Sequence, residues 1–247
     1  MRDSELIARQ DLAAAYRLAD HFGFSEGIDN HLTLSLPDEN DKYLLIPYGM
    51  HWSEVTASSL LIVDSDGNKI SGDGYAESSA FLIHGAVHKA SKKNKCVMHT
   101  HMESALAITM LDKGRLLMAD QNACRFYNNI SYLDDYEGLV VDQHTASPIG
   151  NAMIDSDILF LANHGIIVTG TNVYDAWESL YYIEKACRAQ ILALSTGRDL
   201  KIIKGQIAKK VSDQIKEDSH GESANSYRHF EALKRILVDN GHEDYLD

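Results

Sequence analysis

Two histidines lie one residue apart in the stretch CVMHTHMES, at His99 and His101. Successive side chains of a β-strand point to opposite faces, so these two share a face, with Cβ atoms roughly 6 to 7 Å apart. Two imidazoles at that spacing can bind one divalent metal ion, which needs a third protein ligand and, in a catalytic site, one open position. Taken alone, the pair is more typical of polar residues on a solvated strand face.

The best candidate for the third ligand is His164, in the segment ANHG. It lies between an apolar segment and a glycine, where the chain can turn and present a side chain at a sheet edge. On its own, this residue has the pattern of a structural turn histidine. His84 and His88 share a helical face and a spacing that permits metal binding, but a hydrogen-bonded or half-exposed pair is the simpler interpretation. The pattern by itself leaves both interpretations open.

The elements that must position these histidines are strands and helices in mixed order. Strict alternation in HLTLSL predicts a half-buried strand, and KYLLIP, SLLIVDSDGNKI and KCVMHTH predict further strands. The segment DILFLANHGIIVTG predicts a strand pair interrupted at residues 163–165. Helical periodicity and capping residues predict helices over 5–22, 79–92, 173–195, 203–217 and 224–240. This order predicts an α/β fold with one central sheet covered by helices.

The composition limits the class of protein. With 23 basic and 36 acidic residues the net charge is −13, which disfavours binding to nucleic acid or to an anionic membrane surface. The 3 cysteines are widely spaced and indicate neither a disulfide framework nor a thiolate zinc site. The charged first segment and the lack of a long apolar run disfavour a signal peptide and a membrane span. We therefore expect a cytoplasmic protein whose partners are small molecules or other proteins.

Five ordered motifs carry a further signal: LLIPYGMHWSEVTASSLLIVDSDGNKI, FLIHGAVHKA, VMHTHMESALAIT, DDYEG and ANHGIIVTGTNVYDAWESLYYIEKACRAQ. Together they resemble the class II aldolase/adducin family, from about residue 5 to 197. The resemblance implies a three-layer αβα single domain with a mostly antiparallel central sheet. Residues 1–200 form this domain, and residues 201–247 are expected to be a C-terminal helical extension of it. A homotetramer with active sites at subunit boundaries is also implied.

In the enzymes of that family, histidines of an HxH and an NHG motif hold a catalytic divalent ion. The resemblance therefore implies that His99, His101 and His164 are the ligands, for Zn²⁺ or alternatively Fe²⁺, Mn²⁺ or Co²⁺. The implied chemistry is that of a Lewis acid, which stabilises the enediolate formed when a bond next to a carbonyl breaks. A carboxylate then moves the proton.

The chain departs from the family pattern where that carboxylate is expected. The sugar-phosphate aldolases carry Ser-Ser-Glu ahead of the metal-binding strand, and this chain has Ser78-Ser79-Ala80. Glu77 lies three residues before Ala80, roughly one helical turn away, and is the predicted catalytic replacement. The alternative is a solvated glutamate whose charge is favoured near a helix N-terminus.

A second departure concerns the substrate pocket, for which the resemblance implies the lining residues Asn30, Gly49, Ser78 and Ser79. Asp29 departs from the family pattern and is the fifth predicted binding residue, for a substrate hydroxyl or a cation. Where the phosphate loop of the family has a small Gly-Asn pair, this chain has Asp29-Asn30. A carboxylate about 5 Å from a phosphate costs on the order of 3 kcal/mol at an effective dielectric near 20. Phosphorylated sugars are therefore not the expected substrates, although Asp29 is equally suited to cap a turn.

These residues predict a divalent-metal-dependent lyase-type enzyme for a small non-phosphorylated hydroxy-carbonyl or carboxylate substrate, acting by aldol cleavage, decarboxylation or isomerisation. Two alternatives stay open. A three-histidine site also suits a non-haem iron oxygenase of the same fold. The missing aldolase glutamate, with VTASSL and DDYEG, resembles adducin head domains, which are non-enzymatic binding modules for cytoskeletal and actin partners. The three retained histidines favour the enzyme.

Overall fold

The computed structural model describes residues 3–37, 39–217 and 224–247, except for the side chains of residues 40, 78 and 79. Its strands are β1 His31–Leu36, β2 Glu39–Leu45, β3 Leu61–Asp64, β4 Lys69–Ser71, β5 Cys96–Thr100, β6 Ile130–Leu133, β7 Ile158–Leu161 and β8 Gly165–Gly170. They form one sheet of 8 strands in the order β4-β3-β2-β1-β5-β8-β7-β6. Neighbouring strands are antiparallel except for the parallel pair β6 and β7.

Helices cover both faces of this sheet: α1 Asp3–His21, α2 Ser78–Ala90, α3 Glu103–Thr109, α4 Gln121–Cys124, α5 Gln143–Ala152, α6 Val173–Leu194, α7 Gly205–Glu217 and α8 Asn225–Asp239. On one face, Leu32 and Met98 pack in the main core with α1 and α6. On the other face, Val97 and Ile167 pack with Ile83 of α2 and with α5. The predicted α/β fold, with three layers and a mostly antiparallel sheet, is confirmed.

The prediction that HLTLSL forms a half-buried strand is wrong about burial. β1 is central in the sheet, and helices cover it on both sides, so Leu32 and Thr33 are both fully buried. Alternation of apolar and polar residues normally marks one solvated face. Here the polar face is satisfied by buried side chains of α2 instead of by water.

The predicted helices occur close to their expected bounds, whereas β6, α4 and α5 were not predicted. These elements are short or polar, and α5 contains Pro148. In the C-terminal part, Phe230, Leu233 and Leu237 of α8 lie in the main core. The division of the domain at residue 200 remains a prediction. In the described part of the chain, no helix combines the length and apolar character needed to cross a membrane.

Candidate metal centre

The centre lies at the side of the sheet where β5 ends and where β1 and β8 begin, which we call the metal edge. β5 ends at Thr100, and β8 begins at Gly165, directly after His164. The first residue of β1, His31, is the register partner of His99. Because β1 is antiparallel to both β2 and β5, the loop before β1 and the loop after β2 reach this same edge.

The structure brings together the three histidines that the sequence singles out. Ring centroids are 5.0 Å apart for His99 and His101, 4.8 Å for His99 and His164, and 4.9 Å for His101 and His164. One nitrogen from each ring can be chosen so that all lie within 4.8 Å of one another. His101 lies one residue beyond the end of β5, yet it still faces the same point as His99.

Hydrogen bonds fix which nitrogen two of these rings present. His99 Nδ1 lies 2.9 Å from the Ile166 carbonyl oxygen, and His101 Nδ1 lies 2.5 Å from a carboxylate oxygen of Glu26. Both partners only accept hydrogen bonds, so Nδ1 donates in each neutral ring and Nε2 carries the lone pair. The His101 Nε2 atom is buried and has no hydrogen-bond partner among the described residues. This donor set fits a divalent metal ion with nitrogen ligands.

Burial also favours the neutral, metal-binding form of His99 and His164. Desolvation, with the neighbouring histidines His164 and His101 as further causes, lowers the pKa of His99 well below 6.5. Desolvation and then His101 lower the pKa of His164 to about 4, with Glu26 acting in the opposite direction. Neutral imidazoles are required because a metal ion binds the ring lone pair.

Local sequence explains how His164 reaches the other two histidines. Asn163 has a φ of 56°, a left-handed conformation that asparagine tolerates. A Cβ atom at Gly165 would lie 2.6 Å from the Thr100 carbonyl oxygen and 2.6 Å from His101 Cδ2. Only glycine therefore allows β8 to begin this close to the end of β5. The NHG segment is a turn that places His164 next to His99 and His101.

The predicted catalytic residue Glu77 lies just before α2. Its Oε2 accepts a hydrogen bond of 2.7 Å from the Ala80 amide and lies 3.3 Å from His31 Nε2. The first contact stabilises the N-terminus of α2. The second places the carboxylate one side chain away from the metal edge, since His31 is the register partner of His99. Both interpretations of Glu77 from the sequence therefore remain compatible with its position.

The five predicted pocket residues differ in position. Asn30 is buried and has a φ of 70°, and its Nδ2 lies 3.3 Å from Glu26 Oε2. Asp29 and Gly49 are exposed on the loops that reach the metal edge. The backbone of Ser78 and Ser79 forms the start of α2, but their side chains lie outside the described part of the chain.

Two residues near the centre, Glu26 and His31, have no role in the sequence-based prediction. A histidine that opens a strand becomes notable only when the strand pairing is known, and HLTLSL does not reveal that it pairs with β5. Glu26 contacts a residue 75 positions away, so local spacing carries no sign of it.

His84 and His88 belong to a buried hydrogen-bonded chain under α2, as the simpler interpretation predicted. His88 Nδ1 donates to the Asn94 carbonyl oxygen at 2.7 Å, so its Nε2 must accept from Thr33 Oγ1 at 2.8 Å. Thr33 Oγ1 in turn accepts from His84 Nδ1 at 2.7 Å. Desolvation lowers the pKa of both rings, that of His88 to about 4.

A cavity opens beside His164. It is lined by the loop of residues 134–138 and by apolar residues of α5 and β7. The ring of Tyr136 lies 6.4 Å from that of His164, between centroids. The DDYEG motif therefore forms one wall of the cavity beside His164.

Comparison with known proteins identifies relatives with this fold. A family model, the Class II Aldolase and Adducin N-terminal domain, matches residues 10–191. A Caulobacter vibrioides protein named for class 2 aldolases is 35% identical over 86% of this chain and 83% of its own length. Mouse alpha-adducin is 32% identical over 96% of this chain, which spans 34% of the adducin.

Solved structures agree with these sequence matches. An aldolase II superfamily protein from Pseudomonas syringae has a TM-score of 0.93 and 31% identity, covering 100% of this chain and 98% of that one. An L-fuculose 1-phosphate aldolase from Glaciozyma antarctica has a TM-score of 0.84 and 26% identity, covering 98% and 92%. With a family model that matches most of its length and relatives that align with nearly all of it, the chain belongs to the class II aldolase and adducin family.

Proposed function

We propose that this protein is a divalent-metal-dependent lyase-type enzyme for a small, non-phosphorylated hydroxy-carbonyl or carboxylate substrate. The reaction class is aldol cleavage, decarboxylation or isomerisation, within carbohydrate metabolism. The observation that carries the proposal is the convergence of His99, His101 and His164, with ligand atoms within 4.8 Å of one another. Zn²⁺ is the proposed ion, with Fe²⁺, Mn²⁺ and Co²⁺ as alternatives for a nitrogen donor set.

The roles of the residues follow from their positions. His99, His101 and His164 would hold the ion, which supplies Lewis-acid stabilisation of negative charge on substrate oxygens. In this proposal the cavity beside His164 receives the substrate, while Asp29 and Gly49 are exposed on the loops before β1 and after β2. Glu77 takes or returns a proton, and His31 holds its carboxylate at the sheet edge.

The charge around the centre supports a substrate without phosphate. Glu26 and Asp29 lie on the loop before β1, and Asp135 and Glu137 lie in the wall of the cavity beside His164. Asp134, in the same wall, is paired with Arg115 at 2.8 Å. Several carboxylates this close to the centre repel a dianionic phosphate. The same conclusion follows from Asp29 in the sequence.

A second candidate function is an adducin-like binding module. Two observations favour it: the identity to alpha-adducin over 96% of this chain, and Ala80 at the position of the aldolase glutamate. The two functions differ in what the histidines do. A binding module does not depend on a loaded metal centre, whereas the proposed enzyme loses its activity when one ligand is removed.

We propose a homotetramer in the cytoplasm as the working form. Support for assembly comes from exposed large apolar side chains, such as Tyr75, Leu139 and Val141. Support for a reducing compartment comes from Cys96, Cys124 and Cys187, which are buried and unpaired.

The test is hydrogen exchange next to a carbonyl group. The zinc-loaded protein is incubated in deuterated water with a panel of neutral hydroxy-ketones, hydroxy-aldehydes and hydroxy-acids, and deuterium incorporation and cleavage products are followed by NMR. We expect at least one compound to exchange or cleave, and the His164→Ala variant to lose this activity. Turnover at equal rates by wild type and His164→Ala, or none by the loaded wild type, would contradict the proposal.

A further inference from the structure

A single carboxylate oxygen links the metal edge to the loop before β1. Glu26 Oε2 lies 2.5 Å from His101 Nδ1 and 3.3 Å from Asn30 Nδ2. The two donors approach the same atom, although His101 is 75 residues away from Glu26 along the chain. The carboxylate is therefore placed by the tertiary fold.

The backbone of residues 26–30 explains why the carboxylate reaches His101. The Asp29 amide donates to the Glu26 carbonyl oxygen at 3.0 Å, which closes a turn. Gly27 and Asn30 have φ values of 58° and 70°, both left-handed, so the chain reverses within five residues. β1 then starts at His31 beside β5, and the turn lies next to the end of that strand.

Asn30 holds the carboxylate in this position. Asn30 is 2% exposed, and its Nδ2 donates to the Glu26 carboxylate, which can only accept. Glu26 itself is more than half exposed, with 58% of its side chain in solvent. A glutamate that exposed would move among rotamers unless its neighbours fixed it.

The contact has a direct consequence for His101. A carboxylate on Nδ1 fixes the tautomer and orients the ring, so that Nε2 is the nitrogen left for a metal ion. Nε2 is buried and unpartnered among the described residues, on the side away from Glu26. His99 Nδ1 donates to a backbone carbonyl oxygen, which a side-chain substitution does not remove. The hydrogen bond from His101 Nδ1 goes to a side chain, so substitution of Glu26 can remove it.

We propose that Glu26 is a positioning residue that orients His101 for metal binding through its hydrogen bond to Nδ1. The proposal rests on the metal-dependent function proposed above. It assigns Glu26 no contact with substrate and no part in proton transfer. Its measurable effect is on metal affinity, independent of any reaction.

Cobalt binding to the metal-free protein tests this assignment, because Co²⁺ reports its ligands by visible absorption. Wild type, Glu26→Ala and Glu26→Gln are titrated, with Glu243→Gln as an exposed control that changes the same charge. We expect Glu26→Ala to weaken Co²⁺ binding by about tenfold to a hundredfold. Glu26→Gln keeps an acceptor oxygen and should recover part of the loss, and Glu243→Gln should bind as wild type.

The Co²⁺ titrations distinguish a failure of the metal centre from a failure of the role assigned to Glu26. If wild type binds no Co²⁺, the metal centre itself is refuted, and the role of Glu26 with it. If wild type binds and Glu26→Ala binds equally tightly, the metal centre stands and only the role of Glu26 is refuted. Glu26→Gln as weak as Glu26→Ala would refute positioning through the hydrogen bond. Thermal unfolding of the metal-free variants should match wild type, since Glu26 lies at the surface.

Discussion

At the level of single residues, the centre depends on imidazoles that bind metal through Nε2 while Nδ1 donates a hydrogen bond to the protein. The Ile166 carbonyl oxygen and the Glu26 carboxylate each accept a hydrogen bond from Nδ1 of one ring, which leaves Nε2 of His99 and His101 for a ligand. The sequence predicted the three histidines but neither acceptor. Spacing along a strand shows which side chains share a face, whereas hydrogen-bond partners from other elements require the fold.

Substitution of Glu77 tests whether its carboxylate transfers the proton. Glu77→Gln keeps an oxygen that can accept from the Ala80 amide, so the start of α2 should be retained. It removes the ionisable carboxylate, and we expect turnover to fall by about a hundredfold to ten-thousandfold, the usual contribution of a general acid or base.

Initial rates on the substrate found by the exchange assay, together with thermal unfolding, distinguish the two interpretations of Glu77. Unchanged unfolding with low turnover supports catalysis. Full turnover by Glu77→Gln would leave Glu77 as a helix-capping residue only. In that case Glu77→Ala should cost about 0.5 to 2 kcal/mol of stability, as the loss of a cap does.

At the element scale, α2 is joined to the sheet by polar as well as apolar contacts. Ile83 and Val87 pack in the smaller core, while His84 and His88 bond to Thr33 on β1. The alternation in HLTLSL correctly predicted a strand, but it also predicted that the polar face of the strand is solvated. The difference is physical: a hydroxyl can be satisfied by a buried imidazole as well as by water, and the sequence does not show which.

This polar chain makes the stability of the fold depend on pH. The folded pKa of His88 is about 4, below the value of 6.5 for an unperturbed histidine, because burial disfavours the charged ring. The unfolded state therefore binds more protons between those values, so stability is full above pH 6.5 and is lost as pH falls towards 4. The slope is at most about 1.4 kcal/mol per pH unit for each such histidine.

Urea unfolding of the metal-free protein at several pH values between 7 and 4.5 measures this loss. His88→Gln removes one titrating group and should show a smaller loss across the window than wild type. His242→Gln, the same substitution at an exposed position, is the matched control and should follow wild type. An identical pH dependence in wild type and His88→Gln would show that His88 is not protonated on unfolding.

At the scale of the whole molecule, sequence and resemblance predicted the layers, the mostly antiparallel sheet and the bounds of the long helices. The elements that escaped prediction are β6 and α4, which have 4 residues each and are too short to show a period, and α5, which contains Pro148. The sheet order was also not predicted. Since it places β5 between β1 and β8, it decides which loops surround the histidines.

We propose that one metal ion is held by three histidines from two distant segments. The most direct measurement is the metal content of protein grown with supplemented zinc, iron, manganese and cobalt and then dialysed. It compares wild type with His99→Ala, His101→Ala, His164→Ala and the exposed control His242→Ala. We predict about one divalent ion per chain in wild type and in the control, and its loss in each of the other variants. Metal-free wild type, or a His164→Ala variant that retains a full ion, would refute the three-histidine metal site.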